Sequence, residues 1–177
     1  KVLALYLGIE EKSITIYPSN MGGSFGAKDF LTHVPAAYYL SRTTGKPVKF
    51  VKSYAEELTA NCPRHAAVIQ LRTGVKKDGT LWAWEGKTYY NGGAYGAYKP
   101  NPEGSMSGAY MVAGSYRIPI TKMEGYCVYT NQVPGGYFRA PGETQTLFAV
   151  ESHMDMMAES LGLDPLEFRL RNALSEG

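Results

Sequence analysis

Two glycine-bearing segments lie far apart in this chain: GGSFGAKD, from Gly22 to Asp29, and GGYFRAPGETQ, from Gly135 to Gln145. They constrain the fold more than any other feature. Each leaves an extended, apolar stretch and enters one with helical character, so each reads as a turn in which bare backbone can approach a ligand closely. Brought together, two such turns line a pocket for a large, negatively charged group gripped by N–H donors.

At 177 residues the chain is read as a single domain, residues 1–177, with enough length to bury its own core. It begins at Lys1 inside what reads as a strand, which suggests a piece excised from something longer. A net charge of +2, with lysines and arginines scattered rather than striped, gives no nucleic-acid footprint. No apolar run reaches the roughly 20 residues of a membrane helix. Cys62 and Cys127 stand alone, without metal-ligand spacing, and read as reduced structural thiols of a cytoplasmic protein. His33, His65 and His153 are equally dispersed and read as packing or surface residues.

Along the chain, Val2 to Leu7, Ser13 to Tyr17, Pro47 to Val51 and Lys122 to Tyr129 read as strands, being rich in β-branched and aromatic residues. Phe30 to Thr44 reads as a helix stopped by Gly45, and a short helical or irregular stretch surrounds Glu56 and Glu57. Ala66 to Val75 and Leu81 to Tyr90 flank Lys77-Asp78-Gly79-Thr80, which is hairpin chemistry. Asn91 to Ser107, rich in glycine and proline, reads as a long ordered loop. Leu147, Val150, Met154, Met157 and Leu161 recur at helical spacing and predict a helix over 143–161, ended by Gly162. Asp164-Pro165-Leu166-Glu167 starts another: Asp as cap, Pro in the first helical position, Glu three residues on. Paired strands with separate packed helices make the fold class α+β.

GGSFGAKD is not a phosphate-gripping P-loop, because Lys28 follows Ala27 and Asp29 stands where a magnesium-binding hydroxyl belongs. It also lacks the spacing of a dinucleotide fingerprint. Taken alone it is a tight turn. The second segment sets Arg139 just before a helix start, where a fixed cationic fork adds to the helix-end N–H groups and can orient an anionic or oxo group. On bland readings Arg139 is a surface ion pair, Asp29 a helix-start carboxylate and Arg64 a partner of Glu56 or Glu57.

The order of motifs resembles the molybdenum hydroxylases, the xanthine dehydrogenase and aldehyde oxidase family, over a stretch of their molybdopterin-binding subunit. The resemblance runs through GGSFGAKD, TGKPVKF at 44–50, the glutamate-rich stretch before Arg64-His65, NGGAY at 91–95, FRAPGETQ and LGLDPLEFRLRN at 161–172. It implies that Gly22, Gly23, Ser24, Phe25 and Gly26, with Phe138, Arg139, Ala140 and Gly142, line a molybdopterin cofactor, expected in its cytosine dinucleotide form. No side chain of this chain is expected to ligate the metal. It implies that Asp29, Arg64 and Arg139 face substrate, which favours an N-heteroaromatic, purine-like ring over an aldehyde. Asp29 stands where purine-oxidising members carry glutamate, one methylene longer. The implied reaction is hydroxylation with water as the oxygen source, and electrons leave through iron–sulfur clusters and FAD on other domains or subunits. The family's general-base motif has no match here, so the piece by itself is expected to be inactive. Alternative readings are a non-catalytic module for the cofactor tail or a partner subunit, and an aldehyde-oxidising member of the same family.

Overall fold

In the computed structural model, which describes residues 1–26, 28, 33–96 and 107–175, the hairpin forms as β1 (Ala67–Val75) and β2 (Leu81–Gly93). The strands run antiparallel with Ala67 opposite Tyr90 and Thr73 opposite Trp84. Their turn closes through Lys76 N–H to the Thr80 carbonyl at 2.9 Å, with Gly79 at φ 84°. The Asp78 carboxylate accepts the Thr80 N–H at 2.9 Å, and that bond holds its pKa below the usual value.

Hairpin and sheet belong to the second of two compact units, Cys62–Gly177; the first is Lys1–Asn61. In the second unit β3 (Ile120–Tyr129) pairs with β2 in parallel, so the described strands form a mixed sheet in the order β1-β2-β3. A parallel neighbour cannot be reached by a tight turn. The connection carries a short helix, α4 in chain order (Ser107–Tyr110). The mixed sheet and its helices make this an α+β chain, as the sequence pattern predicts.

Two helices complete the unit, α5 (Glu143–Leu161) and α6 (Pro165–Asn172). Val150, Met154, Met157 and Ala158 of α5 meet Leu81 and Trp84 of β2, Val112 and Phe168 in one core. Full burial of side chains of this size contributes roughly 1.5–3 kcal/mol each. The buried face of α5 follows the predicted stripe at Val150, Met154 and Met157 and widens to Thr146 and Ala158, while Leu147 at its edge is 39% exposed. Gly86 of β2 lets α4's following residues approach, since a Cβ there would lie 1.9 Å from Val112 Cγ1. The α6 start is as predicted, with Asp164 Oδ1 accepting the N–H groups of Leu166 and Glu167 at 2.9 and 3.0 Å. Asn172, buried at the other end of α6, accepts the Leu81 N–H at 2.8 Å and donates to the Gly79 carbonyl at 2.8 Å. It therefore ties the helix to the hairpin turn.

The first unit holds α1 (Val2–Leu7), α2 (Val34–Thr44) and α3 (Tyr54–Ala60). Val2–Leu7 is a helix and not the predicted strand. An all-apolar run has no periodicity to decide between the two. Burial of Leu3, Ala4 and Leu7 and a left-handed cap at Gly8 select the helix. Ser13 ends a 3-10 turn, and residues 14–17 and 47–51 join no ladder among the described residues. Strand propensity becomes a strand only where a partner edge is available. The stretch around Glu56 is helical because Ser53 and Glu56 form a reciprocal capping box: the Glu56 carboxylate accepts the Ser53 N–H at 2.7 Å. That bond also holds the Glu56 pKa low.

Candidate functional site

The first glycine segment lies in the first unit and has an unusual backbone. Gly23, Phe25 and Gly26 all have positive φ, at 122°, 54° and 96°. For phenylalanine that conformation costs energy and marks a loop whose shape is imposed by its surroundings. A Cβ on Gly23 would come within 2.7 Å of the Phe25 ring, so the position accepts only glycine without rearrangement. Gly22 and Ser24 complete the loop; the Ser24 hydroxyl oxygen accepts the Lys28 N–H at 3.3 Å, and the Phe25 ring is 59% exposed. Asp29 lies outside the described residues.

The second segment is built from four stretches of the second unit. Gly135 and Gly136 pack against the stretch 62–65. A Cβ on Gly135 would lie 2.5 Å from His65 Cδ2, and one on Gly136 would lie 2.4 Å from Cys62 Cβ. The Gly136 N–H donates to the Pro63 carbonyl at 3.0 Å and the Gly135 N–H to the Gly92 carbonyl at 3.1 Å. The NGGAY motif is drawn in by that second bond and by Ala94 N–H to the Gln132 carbonyl at 3.0 Å. Its Asn91 carboxamide oxygen accepts from the Thr130 hydroxyl at 2.7 Å and from the Gly93 N–H at 2.9 Å. Motifs separated by up to eighty residues thus share one wall.

Beyond the glycines, four successive carbonyls are each held by a side chain. Arg64 Nη2 donates to the Arg139 carbonyl at 2.8 Å and Nη1 to the Ala140 carbonyl at 3.0 Å. The Ser107 hydroxyl donates to the Pro141 carbonyl, and the Tyr90 hydroxyl to the Gly142 carbonyl at 3.2 Å. Gln145 links the same parts, donating to the His65 carbonyl at 2.8 Å. Ala140 and Gly142 sit at φ 53° and 83°. The peptides are trans, so the N–H of each following residue points opposite to the carbonyl that is held. The N–H groups of Ala140, Gly142 and Glu143 therefore face away from the anchoring side chains, at the N-terminus of α5, where the helix dipole favours negative charge. Arg139 and Phe138 are exposed at this edge.

Tyr90, Ser107 and Gln145 were not singled out in the sequence. Tyr90 carried one signal, a tyrosine on the inward phase of a strand; burial raises its pKa, partly offset by its hydrogen bond to Thr146. Ser107 carried none. Among the described residues no three His, Cys, Asp or Glu side chains gather to hold a metal ion. No described helix is long and apolar enough to cross a membrane.

Residues 1–173 match the family described as molybdopterin cofactor-binding domain. The chain is 40% identical to a subunit of a probable xanthine dehydrogenase of Bacillus subtilis over 171 residues, covering 96% of this chain and 23% of that protein. It is 34% identical to an aldehyde oxidoreductase of Megalodesulfovibrio gigas, covering 99% of this chain and 19% of the relative. Among solved structures, quinoline 2-oxidoreductase from Pseudomonas putida 86 superposes with a TM-score of 0.87 at 28% identity, over 98% of this chain and 22% of the other. The chain thus spans about a quarter of the length of these relatives, or less.

Proposed function

The chain belongs to the family of molybdopterin cofactor-binding domains found in the molybdenum hydroxylases, and on that premise we propose that it forms part of the cofactor cradle of an oxidoreductase acting on an N-heteroaromatic, purine-like ring. The observation that carries the reading is the row of held carbonyls from Arg139 to Gly142. It fits an anionic, sulfur- and phosphate-bearing cofactor because such a group is bound by oriented N–H donors rather than by ligating side chains.

The cofactor-binding residues of this reading are Gly22, Gly23, Ser24, Phe25 and Gly26, with Phe138, Arg139, Ala140 and Gly142. When bound, the cofactor supplies two-electron oxidation of a carbon centre with water as the oxygen source. The protein's part is orientation and electrostatics. The Arg139 guanidinium pairs with a ring carbonyl or nitrogen and stabilises negative charge as the neighbouring carbon is attacked. Asp29 accepts a ring N–H of the substrate. The cofactor form is the cytosine dinucleotide. Electrons pass to iron–sulfur and flavin subunits or domains of a cytoplasmic complex, and residues 1–177 alone do not turn over. Support for the ring substrate comes from relatives named for xanthine and quinoline; a relative named for aldehyde carries the competing class.

The test is metal analysis and a substrate panel on the full-length subunit with its partners. Stoichiometric molybdenum and oxidation of xanthine or quinoline, with Arg139→Ala lowering kcat/KM about a hundredfold while molybdenum is retained, is the expected result. Absence of molybdenum from the purified complex overturns the reading, and oxidation of benzaldehyde alone moves the substrate to the aldehyde class.

A further inference from the structure

We propose that Arg64 is a positioning residue whose charge is committed to the protein. It fastens two consecutive carbonyls, those of Arg139 and Ala140, and so fixes the N–H edge that faces the cofactor. The inference rests on the cofactor reading for what that edge binds, but not for the grip itself.

Several contacts converge on this guanidinium. Its two terminal nitrogens reach the Arg139 and Ala140 carbonyls at 2.8 and 3.0 Å. Nη1 also lies 3.4 Å from Gln145 Oε1, and Gln145 in turn donates to the carbonyl of His65, the residue next to Arg64. One face of the guanidinium lies over the Phe138 ring, 4.9 Å from its centroid. Residues 138, 139, 140 and 145 are thus all engaged by one side chain more than seventy positions away.

The planar fork matters. Two adjacent carbonyls in a turn diverge, and a rigid group with parallel donors can hold both, whereas an ammonium is a point donor on a flexible stem. Ala140, between the two grips and Pro141, is held at φ 53°, a conformation an alanine leaves unless its surroundings impose it. Arg64 binds the carbonyl of that same residue. Removing it frees the turn to relax and swings the Ala140 N–H out of line.

The experiment compares Arg64→Ala and Arg64→Lys with wild type in the full-length subunit, reading three things: hydrogen exchange at the Ala140, Gly142 and Glu143 amides, molybdenum content, and KM against kcat. Expected for Arg64→Ala is exchange at those amides about tenfold faster or more, unchanged exchange in the interior of α5, and loss of most of the molybdenum. Arg64→Lys falls between. Loop exchange as in wild type together with a raised KM overturns the proposal, because Arg64 is then a substrate cation. Exchange accelerated evenly through α5 and the sheet overturns it too, because the role is then general stability. Should Arg64→Ala fail to fold, Arg64→Lys decides: faster loop exchange supports the grip and wild-type behaviour overturns it. Wild-type protein lacking molybdenum refutes the cofactor reading, while loop exchange still tests the grip.

Discussion

The Tyr90 and Thr146 hydroxyls lie 2.6 Å apart, both fully buried, and join the middle strand of the sheet to the first turn of α5. Tyr90 also donates to the Gly142 carbonyl at 3.2 Å, so Thr146 is the partner that donates back to it. A strand residue, a helix residue and a turn carbonyl are thereby held in one chain of hydrogen bonds. Tyr90→Phe leaves the Thr146 hydroxyl without its acceptor in a dry site, while the Gly142 carbonyl keeps the Thr146 N–H at 3.1 Å, and the change is expected to cost about 1–3 kcal/mol. In a double-mutant cycle with Thr146→Val, measured by urea unfolding, the two losses are coupled by about 0.5 kcal/mol or more. Simple additivity would mean that the two hydroxyls do not depend on each other.

Gly86 is filled from outside. Its missing Cβ would overlap Val112 Cγ1 at 1.9 Å, within the core that Val112 shares with Trp84 and Met154. Gly86→Ala is therefore expected to destabilise by about 1–3 kcal/mol through overpacking. Val112→Ala in the same chain should recover part of that loss. Thermal unfolding of the three variants decides, and a double variant no better than the sum of the singles argues against the clash.

Asn172 is the bond between α6 and the hairpin. Its side chain accepts from Leu81 N–H at 2.8 Å and donates to the Gly79 and Phe168 carbonyls at 2.8 and 2.9 Å, all buried. Asn172→Leu keeps the volume and removes all three bonds, with an expected loss of about 3 kcal/mol or more. A chemical denaturation midpoint close to that of wild type would show that water or a shift of α6 replaces them.

Burial lowers the pKa of His153 from its ordinary value of 6.5. It packs edge-on to Trp84 and lies 2.9 Å from the Thr73 hydroxyl. Its proton therefore binds more tightly in the unfolded chain than in the folded one. The contribution to stability is present above pH 6.5 and is lost as pH falls below it toward the depressed folded value. Wild-type stability should decline as pH falls below 6.5, and His153→Gln should flatten that decline. An equal slope in the variant would place the sensitivity on another group, His33 being the first to consider because burial lowers its pKa from 6.5 as well.

The elements legible in the sequence were those whose causes are local. The hairpin turn at Lys77-Asp78-Gly79-Thr80, the 143–161 helix with its Gly162 stop and the Asp164 cap appear where turn and capping chemistry placed them. Backbone preference and side chains a few residues apart are enough to specify such features. The order of motifs from GGSFGAKD to LGLDPLEFRLRN likewise carried the family, since each motif is a short local pattern.

Tertiary structure decided what depends on partners distant in the chain. Val2–Leu7 is equally apolar as strand or helix, and only the burial of Leu3, Ala4 and Leu7 separates the two. The parallel neighbour of β2 and the burial of Thr146 and Ala158 beside the α5 stripe follow from which surfaces meet. Arg64 read as a substrate-facing cation or a partner of Glu56 or Glu57; its guanidinium donates to carbonyls 75 and 76 positions away. A residue's charge and spacing are written in the sequence. The direction in which that charge is spent depends on which carbonyls the folded chain leaves in need of a donor, and that exists only once the chain has closed on itself.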